Sequence, residues 1–301
     1  MGKKKKQRDK HDADGLSPAD IERLQTAFDA EEIDVHANLY GPQSVTWQVN
    51  REAALLLGGG RALLLQLAHP LVAAGVAQHS NFRRDPMQRL YRTLELMLTI
   101  TFADATRAIR AVRQIEKAHA HVKGELHDDV GPFPSGTPYD ANDPELLLWV
   151  HATLVDSALL VYERFVDRLT PRQRRTYYDE SKRGGRILGV PPKLLPDTLA
   201  DFEDYMHEMF RSDVLSIGDE GRDVAEAVLW PKTPAGLRYL LTVPNFVTFD
   251  MLPPPVRDRY GYSWGPGMGF VAQALAWISR TTLPLLPAVL RVMPAARRSA
   301  A

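Results

Sequence analysis

Hydrophobic positions along this chain recur at helical spacing, and no convincing strand-like alternation interrupts them. Residues 104–124 carry the clearest pattern. Ala108, Val112 and Ile115 fall on one face, His119 is the next position on that stripe, and His121 points toward the polar side. Asp104 suits the first cap, and Gly124, with Lys123 before it, predicts a left-handed stop. Upstream, Leu55 to Ala68 reads as two apolar helical pieces joined at Gly58, Gly59 and Gly60. A kink at His69-Pro70 then leads into a small-residue helix ending near His79. In the helix that begins at Arg89, Thr93, Met97 and Ile100 continue the arginine's face. Asn142 as cap, Pro144 and Glu145 predict the start of a helix reaching Phe165, apolar nearly all round and therefore central. His151 sits in it among Leu147, Leu154, Val155 and Ala158.

Ser17-Pro18, with Asp20 and Glu22, opens a short first helix, and further helices are expected over 171–184, 197–210, 221–229 and 235–241. Residues 125–138 read as a Gly/Pro/Asp-rich loop suited to a lid, and 252–264 as irregular. The expected fold class is all-α. A basic tail over 1–15 precedes one multi-helix domain over 16–267, and an amphipathic helical segment follows over 268–301.

Composition narrows the chemistry. Lys+Arg and Asp+Glu are both 37, which argues against a nucleic-acid protein. With no cysteine, thiolate nucleophiles, disulfides, iron–sulfur clusters and thiolate-bound metals are excluded, and nine histidines remain as soft donors. The basic start lacks the apolar core of a signal peptide, so the expected compartment is the cytoplasm. The apolar stretch over 269–293 is broken by Arg280, Pro284 and Pro287. It is a poor membrane span and leaves a peripheral membrane contact through the C-terminal segment open.

No Gly-x-Ser-x-Gly elbow and no strand-borne dinucleotide motif are present. The glycine triplet lacks the Lys-Ser/Thr of a phosphate loop and is better read as a helix joint or a close backbone approach. A di-iron site needs two Glu-x-x-His motifs, and only Glu116 to His119 supplies one. A mononuclear iron site on His119 and His151 needs an inward carboxylate, for which Asp156 is the candidate. A heme needs one imidazole, a flat apolar slot and cationic anchors, which His119 and Arg89 or Arg92 could supply. A core histidine satisfied by a backbone carbonyl is the plain alternative for His119 and for His151.

Four segments in order carry a resemblance: Leu63 to Ser80, Asp85 to Thr93, Ala118 to Gly124 and Tyr139 to Leu154. Together they resemble the family that groups MpaB-type oxygenases with the catalytic domain of rubber oxygenase (latex clearing protein), over roughly 45–260. The resemblance implies a globin-like all-α core holding heme b, with dioxygen and a small apolar, isoprenoid- or lipid-like substrate. By the same resemblance, His119 in His119-Ala120 is the iron ligand, Arg89 and Thr93 lie near the heme, and His151 lines the pocket. Arg92 stands where the rubber-oxygenase branch has a lysine that can cap the iron, and arginine does not readily deprotonate to do that. His69 and His79 complete the candidate cofactor-binding set. Without a secretion signal, rubber itself is not the expected substrate. The alternatives are a non-heme iron hydroxylase on His119 and His151, and a non-catalytic heme or lipophile carrier.

Overall fold

The computed structural model describes residues 15–79, 86–231 and 241–299; the expected helix over 235–241, except its last residue, and the basic tail over 1–15, except Gly15, lie outside them. Fifteen α-helices are present among the described residues, with one two-stranded sheet. The fold is all-α.

Local sequence explains most of the boundaries. Helix α1 (Pro18–Phe28) starts with a full capping box between Ser17 and Asp20. Short α2 (Val45–Asn50) is capped by Ser44, and a 3-10 turn (Ala53–Leu57) feeds α3 (Gly58–Leu67). The glycine triplet is therefore a helix joint, and it is also a close approach. A Cβ on Gly58 would stand 3.0 Å from Val161, and one on Gly60 would collide with the Thr248 hydroxyl. At His69-Pro70 the chain turns a corner of 103° into α4 (Pro70–His79), much more than a kink.

Helices α5 (Pro86–Phe102) and α6 (Ala105–His119) follow, with Asp104 capping α6 as expected. Helix α6 stops at His119, with Ala120 as its C-cap, and does not reach Gly124. Gly124 belongs instead to strand β1 (Lys123–Glu125), paired antiparallel with β2 (Pro138–Asp140). Its side is empty because the ring of Tyr139 crosses it: a Cβ there would lie 2.6 Å from the tyrosine hydroxyl. Strands this short carry no alternation to detect, and the expected loop over 125–138 is, between its paired ends Glu125 and Pro138, the turn of a small hairpin.

The central helix is α7 (Pro144–Val161), continued by a π-helical turn (Tyr162–Val166). Its cap is Asp143, whose carboxylate accepts from the Glu145 and Leu146 amides, one residue beyond the expected Asn142. By length and composition α7 could cross a membrane, but it packs between α3 and α8 (Pro171–Ile187) at the centre of the molecule. Trp149 is fully buried there and donates its indole N–H to the Leu65 carbonyl at 3.2 Å. Helices α9 (Leu199–Arg211) and α10 (Asp219–Leu229) complete this main core. A second core joins α1, α5, α6 and the end of α8 through Leu24, Leu39, Ile109, Val112 and Ile187.

The chain closes with α11 (Thr242–Met251), α12 (Pro254–Arg259), α13 (Pro266–Thr282), α14 (Ala288–Arg291) and α15 (Pro294–Ser299). The end is docked: the Met293 amide donates to the Arg51 carbonyl at 2.7 Å, and Met293 and Ala296 are buried with Trp47 and Phe102.

Candidate functional site

The α5–α6 pair positions most of the predicted residues. Only Ala103 and Asp104 connect these two packed helices, so they form an antiparallel hairpin, and the start of α5 lies at the same end as the close of α6. The hairpin is anchored at the connection, where Ala105 and Thr106 donate their amides to Ala37 and Val35. Ala105, Ala108, Ile109, Ala111 and Val112 bury the inward face of α6, and Ile115 continues it half-buried. His119 is the last residue of the helix. It is half-buried rather than enclosed in the core, because the packed face ends before it. Arg92 and Thr93 are exposed on the first half of α5; the Arg89 side chain lies outside the described residues.

Two neighbouring elements reach the same region. Strand β1 begins a few residues after His119, and Val122 packs 3.2 Å from where a Gly75 Cβ on α4 would stand. Exposed His79, at the end of α4, places Nε2 3.1 Å from the Tyr139 hydroxyl, which donates to Gln78 Oε1 at 2.8 Å. Tyr139 was not legible as a site residue, because its partners are fixed by the β-hairpin and not by local sequence.

His69 lies at the corner between α3 and α4. It is buried, its ring centre is 5.5 Å from that of Phe133, and Nδ1 has no hydrogen-bond partner among the described residues. Burial pushes its pKa down to about 4, against a weaker opposing pull from the Asp143 carboxylate, so it is a neutral imidazole. His151 is also buried and pushed down to about 4 by desolvation. It occupies a slot in α8 made by Gly184 and Gly185; a Cβ on Gly185 would stand 3.1 Å from its Cδ2 and Nε2. The sequence suggests a helix end at Gly184, whereas both glycines lie inside α8: Gly185 makes room for the His151 ring from α7, and Gly184 for the Tyr40 hydroxyl, 2.9 Å from where its Cβ would stand.

The three-ligand iron reading loses its carboxylate. Asp156 pairs with buried Arg61 at 2.6 Å, and Arg61 also donates to Ser157 Oγ and the Met251 carbonyl, both at 2.8 Å. Glu116, the acid of the half di-iron motif, pairs with Arg23. Among the described residues no three imidazole or carboxylate groups converge as a ligand set. A cleft of about 590 Å³ opens between the π-helical turn and α13 and is lined by none of the predicted residues. A smaller one, about 170 Å³, runs along Pro70, Leu126, His127 and Glu220.

Comparison with known proteins places the chain in a family. No solved structure matches the chain. Two uncharacterized proteins, from Mycobacterium bovis and Mycobacterium tuberculosis, are each 26% identical over 147 residues, 48% of this chain and 55% of theirs. The chain thus spans about half the length of the curated relatives it matches. The family model described as "ER-bound oxygenase mpaB/B'/Rubber oxygenase, catalytic domain" matches residues 46–281, from α2 to the end of α13. On that match, the chain belongs to the mpaB/rubber oxygenase catalytic-domain family.

Proposed function

We propose that this protein is a heme b-dependent oxygenase that acts with dioxygen on a small apolar, isoprenoid- or lipid-like substrate. The observation that supports the reading is the α5–α6 hairpin, which brings the close of α6, with half-buried His119, to the end where α5 begins, in a chain of an oxygenase family; Arg92 and Thr93 lie on the first half of α5. The donor set fits the group. A heme brings four nitrogens of its own and asks the protein for one imidazole, and the described residues offer no three-group set that would hold a bare ion.

When bound, heme supplies the iron that activates dioxygen. His119 would hold it through a ring nitrogen, and its place in the last turn of α6, at the negative end of the helix dipole, would favour electron donation from that nitrogen. Arg89 and Arg92 would pair with the propionate carboxylates, for which the guanidinium fork is suited, and Thr93 would donate a hydrogen bond beside them. Arg92 would act there as a guanidinium cation and not as a lysine-like ligand. Neutral His69 has a buried Nδ1 that can hold or accept a single proton, and His79 with Tyr139 closes the side toward the β-hairpin. Buried His151 orients α7 against α8.

The test is an absorption spectrum of the protein expressed with heme precursor, beside His119→Ala. A Soret band that weakens or vanishes in the variant is the expected result. A colourless wild type after added hemin overturns the reading. Oxygen uptake with apolar alkenes then separates an oxygenase from a carrier, which would show the band and no turnover.

A further inference from the structure

Helix α13 sorts its side chains against the usual rule. Its buried positions are alanines, Ala272 and Ala276, while Phe270 is 77% exposed and Trp277 68%. Phe270, Ala274 and Trp277 recur at i, i+4 and i+7, flanked by Val271 and Ile278, so the large apolar side chains form one stripe facing outward. The chain beyond extends it: Leu285, Leu286, Val289 and Leu290 are all exposed, with Leu285 at 82%. A run of this kind on a folded surface marks a partner.

The charges around the stripe select that partner. Residues 259–301 contain five arginines and no Asp, Glu or Lys, in a chain whose total charge is zero. Beside Trp277, the 590 Å³ cleft is lined by Arg164, Arg168 and Arg280 and by one carboxylate, Glu163, which pairs with Arg174. Arg164 is engaged by Asp250, whereas Arg168 and Arg280 form no ion pair among the described residues. A second copy meeting this face by two-fold symmetry would set these arginines against each other with no carboxylate in the segment to relieve them. An anionic bilayer supplies both halves: acyl chains for the stripe and phosphates for the arginines.

We infer that α13 and the Leu283–Leu290 strap form an interfacial docking face for a membrane surface rich in anionic phospholipid, with Arg168 and Arg280 seating headgroup phosphates. The helix lies along the surface and does not span it: Arg280, Pro284 and Pro287 interrupt the apolar run. The inference is independent of the heme reading.

Flotation of the full chain with vesicles tests it, using phosphatidylcholine alone and phosphatidylcholine mixed with phosphatidylglycerol. The expected result is binding to the mixed vesicles, weak binding to the neutral ones, and loss of binding at high salt. The paired substitution Phe270→Ser and Trp277→Ser lowers partitioning on the order of a hundredfold, since two large apolar side chains leave the bilayer. Arg168→Gln with Arg280→Gln lowers it by about fivefold per charge, on anionic vesicles only. All substituted side chains face solvent or the open cleft, and circular dichroism with a thermal melt verifies that the variants are folded. Equal binding by wild type and the Phe270/Trp277 variant overturns the inference. So does the absence of vesicle binding, including the case where light scattering finds a dimer that the same variant dissolves.

Discussion

Helices α7 and α13 have nearly the same length, 18 and 17 residues, and both are rich in apolar side chains. Yet α7 buries Leu146, Leu148, Trp149, Val155, Leu159 and Val161, while α13 fully buries only alanines, packs Leu275 half-buried against the core and turns Phe270, Val271, Trp277 and Ile278 out. Packing partners make the difference. Helix α7 is surrounded by α3, α8 and the 3-10 turn, whereas α13 rests on the π-helical turn and α11 along one side only. Apolar content alone therefore does not say where a helix sits. The size of the residues on each face, read against the neighbours available, does.

The sharpest way to break this comparison is to truncate a tryptophan on each helix. Trp149→Ala should cost about 3–5 kcal/mol in a denaturant titration, from lost burial and the orphaned Leu65 carbonyl. If it costs no more than a surface change, α7 is not the centre of the fold. Acid comes next. His69 and His151 are pushed down to about 4 in the native state, against about 6.5 in the unfolded chain. Between these values the unfolded chain binds protons that the native one refuses. Stability is thus fully present above about 6.5 and falls by up to a few kcal/mol as pH drops toward about 4. Urea midpoints that stay level across that window would contradict the burial of both rings.

A smaller effect belongs to the slot that receives α7. Gly185→Ala would press a methyl group against His151 and Leu195 at 3.1 and 3.0 Å, for about 1–3 kcal/mol of destabilisation by thermal melt. Trp277→Ala on α13 should sit at the bottom of the order, within about 0.5 kcal/mol of wild type. A large loss there would mean that the outward stripe is covered within the chain itself.

Much of this molecule is legible in its sequence. The caps at Ser17 and Asp104, the helical periods and the absence of long strands follow from local chemistry, and they suffice for an all-α architecture. What escapes is any feature set by a distant partner. Gly124 and Gly184 look like helix stops, but the first yields to Tyr139 and the second to the Tyr40 hydroxyl. Asp156 looks available as a ligand until Arg61 arrives from α3 to claim it. A side chain's vacancy or engagement is a tertiary property, and the candidate site depends on several of these.

The docking of Met293 and Ala296 beside Trp47 and Phe102 has a consequence for how this chain is dismantled. The exposed strap from Leu283 to Leu290 lies between two docked helices and is not a free tail. A protease that nicks it makes two fragments held together by the second one's buried residues. The cut would be visible on a denaturing gel and invisible to gel filtration, with α15 retained as a non-covalent plug over α2 and α5.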